Sequence, residues 1–248
     1  MELYIIRHAQ SMNNALEAED RANYHTRRMA DPALSDIGKQ QAKILAEHLA
    51  TKPEVFFDYD IDKREGVLTR RDGYGITTLY CSAMWRALQT AQPVGEALGL
   101  RPQVWVDIHE HGGVFLQNGD GYTGYPGKTR DEVLSEFPNY ILPDDFGDDG
   151  WWNRGYEDTP SMYGRAIRIA RDLRQCAIDQ PNERIAMISH GTFIDALLKA
   201  LFNQLPGRGL FHLHYNTAIT HLHFYDDRLL ELRYQNRIEH LSAEMVTI

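Results

Sequence analysis

The sequence predicts an α/β fold: a three-layer sandwich whose mostly parallel central sheet is flanked by helices, with inserted cap segments. Three observations carry this reading. Short apolar runs that read as strands alternate with longer amphipathic runs that read as helices. The apolar runs are continuous, as strands covered on both faces require. Several then break off into polar, chemically capable residues, as expected where loops beyond the carboxyl ends of strands hold ligands.

The first strand, Leu3-Tyr4-Ile5-Ile6, stops at Arg7-His8. Residues 15–31 are polar and charge-mixed and read as a loop with a short helix. Ser35 reads as the N-cap of a helix to about Ala50, with Gln41, Ala42, Ile44, Leu45 and Leu49 in its amphipathic run and Pro53 just past its end. Residues 54–77 read as a hairpin inserted between helix and strand. Their Asp58-Tyr59-Asp60-Ile61-Asp62 run is not a calcium loop: Lys63 stands where the sharp-turn glycine belongs, and Thr69 where the bidentate Glu belongs.

Residues 77–81 form the second strand. Residues 83–98 form a helix closed by Gly99, with Arg86 on its first turn, where the helix end favours an anion. Residues 103–106 are a third strand, running into Asp107-Ile108-His109-Glu110-His111-Gly112-Gly113. Residues 114–160, rich in Gly, Asp, Pro and aromatics, read as a cap over a cleft with one short helix around 130–137. Residues 161–180 are an amphipathic helix with Ile167, Ala170, Leu173 and Ala177 along one face. Arg184–Ser189 is the fourth strand; it stops at His190-Gly191, and Thr192 opens a helix through Leu201. A hairpin around Asp226-Asp227 closes the chain. With no repeat or linker, residues 1–248 read as one domain with insertions near 15–30, 54–77 and 114–160.

Composition bounds the partners. The 248 residues are 43% hydrophobic with a net charge of -9. An acidic chain argues against nucleic acid as a partner, while a local Arg cluster can still hold an anion. Cys81 and Cys176 have no metal or redox spacing and read as small core residues. No apolar run approaches the ~20 residues of a membrane helix and no signal segment is visible, so no membrane partner and a cytoplasmic location are expected. Oligomeric state leaves no mark.

Three strand ends thus carry polar groups, Arg7-His8, His109-Glu110-His111 and Ser189-His190, and Arg86 joins them from a helix start. Singly each is weak. Together they supply what phosphoryl transfer through a covalent intermediate needs: a neutral imidazole as nucleophile at His8, cations and donors for the equatorial oxygens at Arg7, Arg86 and His190, and a proton for the leaving oxygen at Glu110.

At this point the chain resembles the histidine phosphatase superfamily, the phosphoglycerate-mutase-like branch 1. Four motifs in order carry the resemblance: Arg7-His8-Ala9-Gln10-Ser11 with Asn14; Leu34-Ser35 with Gly38 and Gln41-Ala42; Ser82 with Arg86-Ala87 and Thr90-Ala91; and Ser189-His190-Gly191. Asn236 and His240-Leu241 resemble the family's tail. The resemblance implies a phosphomonoester hydrolase acting on a small phosphorylated metabolite. His8 would be the phosphorylated nucleophile, and Arg7, Arg86 and His190 would hold the phosphoryl group. Asn14 and Gly191 would add binding contacts. Glu110 would be the acid, with His109 or His111 sharing that role, and no cofactor is called for. Two departures stand out. Ala9 replaces a glycine, putting a methyl where the backbone bends under the site, and Gln10 replaces a Glu. The mutases' Glu-Arg-His-Tyr run is missing, which favours hydrolysis over phosphoglycerate mutase activity.

Two further alternatives are a silent relative that binds a partner protein and a metal hydrolase. The second would use His109, His111, His212, His214, His221 and His223, whose spacing suits one face of a strand; polar strand faces explain them more simply, and no metal site is expected. The pocket wall is expected from the three insertions, with Arg21, Arg27, Arg28, Lys128, Arg130 and Arg154 as candidates to meet a second anionic group. Trp151, Trp152 and Tyr122 are read as stacking on a ring or packing the lid.

Overall fold

The computed structural model describes residues 1–60, 63–207, 209–225 and 229–248. The chain runs β1 (Glu2–Arg7), α1 (Met12–Glu19), a 3-10 turn (Arg21–Asn23), α2 (Tyr24–Arg27), α3 (Asp36–Thr51), β2 (Glu54–Asp60), β3 (Glu65–Arg71) and β4 (Thr78–Cys81). Then come α4 (Trp85–Leu98), β5 (Gln103–Val104), a 3-10 turn (Val106–Ile108), β6 (Phe115–Asn118), β7 (Gly121–Gly124), α5 (Arg130–Glu136) and α6 (Thr159–Asp179). The last elements are β8 (Arg184–Ser189), α7 (Gly191–Leu201), β9 (Ile219–Phe224), β10 (Leu230–Arg237) and a 3-10 turn (Ala243–Met245).

Six strands make one sheet in the order β10-β9-β1-β8-β4-β5. β1, β8, β4 and β5 are mutually parallel, and β9 and β10 add an antiparallel edge. The period of two along β1 sends Tyr4 and Ile6 into one core with Leu45, Leu49, Ala87 and Leu88 of α3 and α4. Leu3 and Ile5 enter a second core with Ile169, Leu173, Ile194 and Leu197 of α6 and α7. That is the expected three-layer sandwich. All of the parallel strands point their carboxyl ends the same way, so the loops after β1, β4 and β8 share one rim.

Local chemistry sets the element ends. Ser35 caps α3 by accepting from the Gly38 N–H at 3.0 Å, an interaction of about 1 kcal/mol. Gly38 is also where α3 meets the loop after β1: a Cβ there would overlap the Gln10 carbonyl. Gly99 ends α4 in the left-handed conformation, with φ of 65°.

Several expectations need correction. Residues 15–31 are mostly helical turns rather than a loop, because Ser11 and Asn14 form a capping box that starts α1. The third strand is only Gln103–Val104; Val106–Ile108 tightens into a 3-10 turn before His109. The helix expected from 83 begins at Trp85. The cap segment 114–160 contains a β6–β7 hairpin besides its helix. On α6, Ile167 is exposed, and Ala166 and Ile169 take the inward stripe. Cys81 is buried in the core, but Cys176 is only half-buried. The hairpins at 54–71 and 219–237 form as expected. Asp226 and Asp227, expected at the turn of the second, lie outside the described residues, as do Ile61 and Asp62 of the rejected calcium run.

Candidate active site

One pocket of about 630 Å³ opens at the carboxyl rim of the sheet. Its walls include Arg7, His8, Asn14, Arg86, Glu110 and Gly191, six of the seven residues singled out in the sequence. The seventh, His190, is fully buried and is not on the wall, yet its ring centroid lies 5.0 Å from that of His8. β1, β8 and α4 bring them together: parallel pairing sets Arg7 opposite Ser189, and the His8 N–H bonds the Ser189 carbonyl at 2.9 Å.

His8 is held in one tautomer. Its Nδ1 lies 2.7 Å from the Ala9 carbonyl, which can only accept, so Nδ1 carries the proton and Nε2 the lone pair. Arg86 Nε donates to that Nε2 at 3.1 Å. Burial first, then the charges of Arg86 and Arg7, hold the His8 imidazole well below its ordinary value, so it is neutral. His190 is neutral for the same reasons, burial first and Arg86 next. Neither of its ring nitrogens has a hydrogen-bond partner. A buried, unpaired imidazole costs free energy unless something arrives to accept its proton.

The cations are set by groups the sequence did not advertise. Arg7 Nη1 donates to the His214 carbonyl at 2.6 Å, while its Nε is buried without a partner. Burial pulls Arg7 down to about 10, with Glu110 opposing, so it stays charged at neutral pH. Asn216 Nδ2 donates to the His8 carbonyl at 3.0 Å, and the Thr217 N–H reaches the Arg7 carbonyl at 3.0 Å. Thr217 sits at a φ of 59°, a backbone state no sequence pattern marks for threonine. Arg86 has Asp31 3.8 Å away; burial pushes that carboxyl up to about 6 against the pull of Arg86 and the Trp85 N–H.

Glu110 lies at the start of α7. Its Oε1 accepts from the His111 and Phe193 N–H groups, at 2.8 and 2.9 Å, and its Oε2 from the Thr192 N–H at 3.1 Å. Four lone-pair sites against three donors leave one, on Oε2. His111 also lines the pocket. His109 does not: it is buried against Trp151 and Trp152, with Nδ1 on the Glu110 carbonyl, and burial with Arg165 keeps it neutral.

The motif departures have structural uses. Ala9 lies outside the positive-φ region, and its methyl packs with Leu34 and Ala42, so the bend accommodates it. Gln10 Oε1 accepts from Ser35 Oγ at 2.6 Å, tying the loop to the α3 cap.

The expected pocket wall is only partly right. Among the described residues none of the β2–β3 hairpin lines it, and Arg71 and Glu54 anchor that hairpin at the other end of β1. Arg21 and Arg28 line the pocket. Arg27 instead pairs with Asp20, Lys128 with Glu132, Arg130 bonds the Pro143 carbonyl, and Arg154 lies over Trp152. Trp151 and Trp152 belong to the core, and Tyr122 stacks on Tyr156.

The six histidines of the metal reading do not converge. His212 and His214 lie outside any strand, and only His221 and His223 share one. Among the described residues, one group could offer a metal three ligands: Glu2, Glu54 and His221. Arg71 already bonds both carboxylates there, and each ring nitrogen of His221 faces a different one. That arrangement fits a charge clamp and not a shared metal position.

Residues 65–237 match the family model of the histidine phosphatase superfamily (branch 1). No curated protein matches the chain significantly. Among solved structures, a phosphoserine phosphatase mutant from Entamoeba histolytica in complex with phosphoserine is similar with a TM-score of 0.56 and 20% identity, covering 97% of this chain and 99% of that one. A mycobacterial glucosyl-3-phosphoglycerate phosphatase gives 0.54 and 20%, covering 96% and 99%. A putative alpha-ribazole-5'-P phosphatase from Escherichia coli gives 0.57 and 17%, covering 96% and 97%. At these identities the likeness establishes the fold. Among the described residues no helix is long and apolar enough to cross a membrane.

Proposed function

Since the chain belongs to the histidine phosphatase superfamily (branch 1), we propose that it hydrolyses monoesters of small phosphorylated metabolites through a phosphohistidine on His8. The observation that carries this is the state of His8: neutral, with Nδ1 committed to the Ala9 carbonyl and the Nε2 lone pair turned to a guanidinium in the pocket. In this reading residues 1–248 act as one domain.

Nε2 attacks phosphorus as Arg86 turns its Nε from the imidazole to a phosphoryl oxygen. Arg7 and the single N–H that a neutral His190 carries supply further donors, and Asn14 and the Gly191 rim bound the site. Preset donors of this kind stabilise charge that grows in the transition state. The P–O ester bond breaks, and the leaving oxygen takes a proton carried on Glu110 Oε2. Water then attacks the phosphohistidine, gives its proton back to Glu110, and releases phosphate with the Nε2 lone pair restored. His111 is the alternative carrier on the wall; His109 is not.

Release of inorganic phosphate from 4-nitrophenyl phosphate and 3-phosphoglycerate tests the reading. His8→Ala should abolish it, and acid-labile phosphate should be trapped on the wild-type protein alone. Undiminished release by His8→Ala would sink the proposal. Interconversion of monophosphoglycerates without net phosphate release would replace hydrolysis by mutase chemistry. Glu110→Gln should suppress turnover of alkyl esters more than that of 4-nitrophenyl phosphate, whose leaving group needs no proton. Equal losses would move the proton to His111.

A further inference from the structure

The pocket holds a guanidinium that the phosphoryl reading does not use. Arg28 follows α2 on the wall, its Cζ 4.4 Å from the Phe115 ring centroid and 5.8 Å from that of Tyr24. Its Nε is shut off from solvent and has no hydrogen-bond partner. No carboxylate among the described residues pairs with it. The other distal arginine on the wall, Arg21, is exposed and has Glu17 4.0 Å away. A guanidinium laid over an aromatic face keeps its N–H edge free for a planar anion.

Arg28 is also held from behind. Asn13 on α1 clamps the backbone of the next residue: its Nδ2 donates to the Met29 carbonyl at 2.8 Å, and its Oδ1 accepts the Met29 N–H at 2.9 Å. The Arg28 N–H closes the turn of α2 on the Tyr24 carbonyl at 2.9 Å. The side chain therefore projects from a backbone tied to α1, the helix that follows the His8 loop, which makes it a preset group. The same pocket is lined by the apolar Phe115, Phe211, Leu213 and Ala18 and by the carboxylate of Glu17.

We propose that Arg28 binds a second anionic group on the substrate, so that the preferred substrates are phosphomonoesters of alcohols bearing a carboxylate or a further phosphate. This rests on the hydrolytic reading for the first phosphate, and Arg28 adds the class of alcohol.

The probes are glycerol 3-phosphate, 3-phosphoglycerate and glycerol 1,3-bisphosphate, read as kcat/KM with wild type and with Arg28→Gln and Arg28→Lys. Wild type should prefer at least one of the two probes with an anionic tail over glycerol 3-phosphate by about tenfold or more, the scale of a charge-assisted bidentate contact. Arg28→Gln should erase that preference through KM, and Arg28→Lys should restore part of it. Preference for the carboxylate probe, the bisphosphate or both names the source of the anion and upholds the assignment. Preference for neither, or one that survives Arg28→Gln, overturns it. The same ratio is read without turnover by titration calorimetry on His8→Ala and on His8→Ala with Arg28→Gln. If no ester is hydrolysed yet the binding preference depends on Arg28, hydrolysis is wrong and the anion site stands. If esters are hydrolysed with no such dependence, the reverse holds.

Discussion

The two ends of β1 bury similar side chains to opposite effect. At its start, Glu2 and Tyr4 meet Glu54, Arg71 and His221. Opposite charges meet there: Arg71 bonds Glu2 at 2.8 Å and Glu54 at 2.6 Å, and His221 lies between both carboxylates at 3.1 and 3.2 Å. At its finish, about 17 Å away at a strand's rise per residue, Arg7, His8, Arg86 and His190 are gathered with too few acceptors. Arg7 Nε and both His190 nitrogens stay unpaired. Burial opposes the charge on Glu2, yet hydrogen bonds from His221, Arg71 and Tyr4 outweigh it and hold the carboxyl well below its usual range. Burial acts on His8 with Arg86 and Arg7 adding to it, and the imidazole is left neutral. Interlocked opposite charges hold a hairpin to a sheet; guanidinium groups gathered around neutral imidazoles are ready for an anion.

The sharpest break of this comparison is a swap of readouts. His8→Ala should lower kcat by at least about 10³-fold, as loss of a nucleophile does, with little change in the urea midpoint. Arg71→Met should do the reverse. Leaving two buried carboxylates without their guanidinium should cost about 3–5 kcal/mol of stability, read from urea unfolding, while turnover of the folded protein is kept. If Arg71→Met matched wild type in stability, the clamp would be no clamp.

Acid separates the two ends by the pH at which each loses its contribution. In the unfolded chain, imidazoles take a proton near 6.5, whereas burial keeps His8, His109 and His190 neutral well below that. Stability is therefore full above that value and falls as pH drops below it, each such group adding at most about 1.4 kcal/mol per pH unit. His48, His214 and His240, pulled down to about 4, 4 and 3 chiefly by burial, add to the same slope. The depressed carboxyls of Glu2 and Glu54 act later: their contribution is present above the unfolded value near 4.3 and is lost only below it. Urea midpoints between pH 7.5 and 3.5 should fall in two stages. His8→Ala should flatten the first, and Glu54→Gln the second. A single stage below pH 4.3 would contradict the neutral histidines.

The smallest expected effect is at Asp31. With its carboxyl pushed up to about 6 by burial, it gains a proton on the acid side of neutrality and stops opposing the charge of Arg86. Asp31→Asn should change kcat/KM only a few-fold and should remove an inflection near pH 6 from its pH profile. An unchanged inflection would assign it to another group.

The order of elements and the residues of the pocket were legible from local patterns. Continuous apolar runs, a Ser35 cap, Gly99 and abrupt stops at Arg7-His8 and Ser189-His190 are consequences of burial and backbone chemistry that each segment carries alone. Register, partner and unpaired charge are not local. The Asn216 bond to His8, the Thr217 turn, the bar on His109 by two tryptophans and the clamp of Arg71 across three strands all join positions distant in the chain. Which chemical groups stand at strand ends can be read along the chain, because hydrophobic periodicity is written in neighbouring residues. Which guanidinium meets a carboxylate, as Arg71 does, and which faces the pocket, as Arg28 does, emerges on folding, because a charge is satisfied by distance in space and not by distance along the chain.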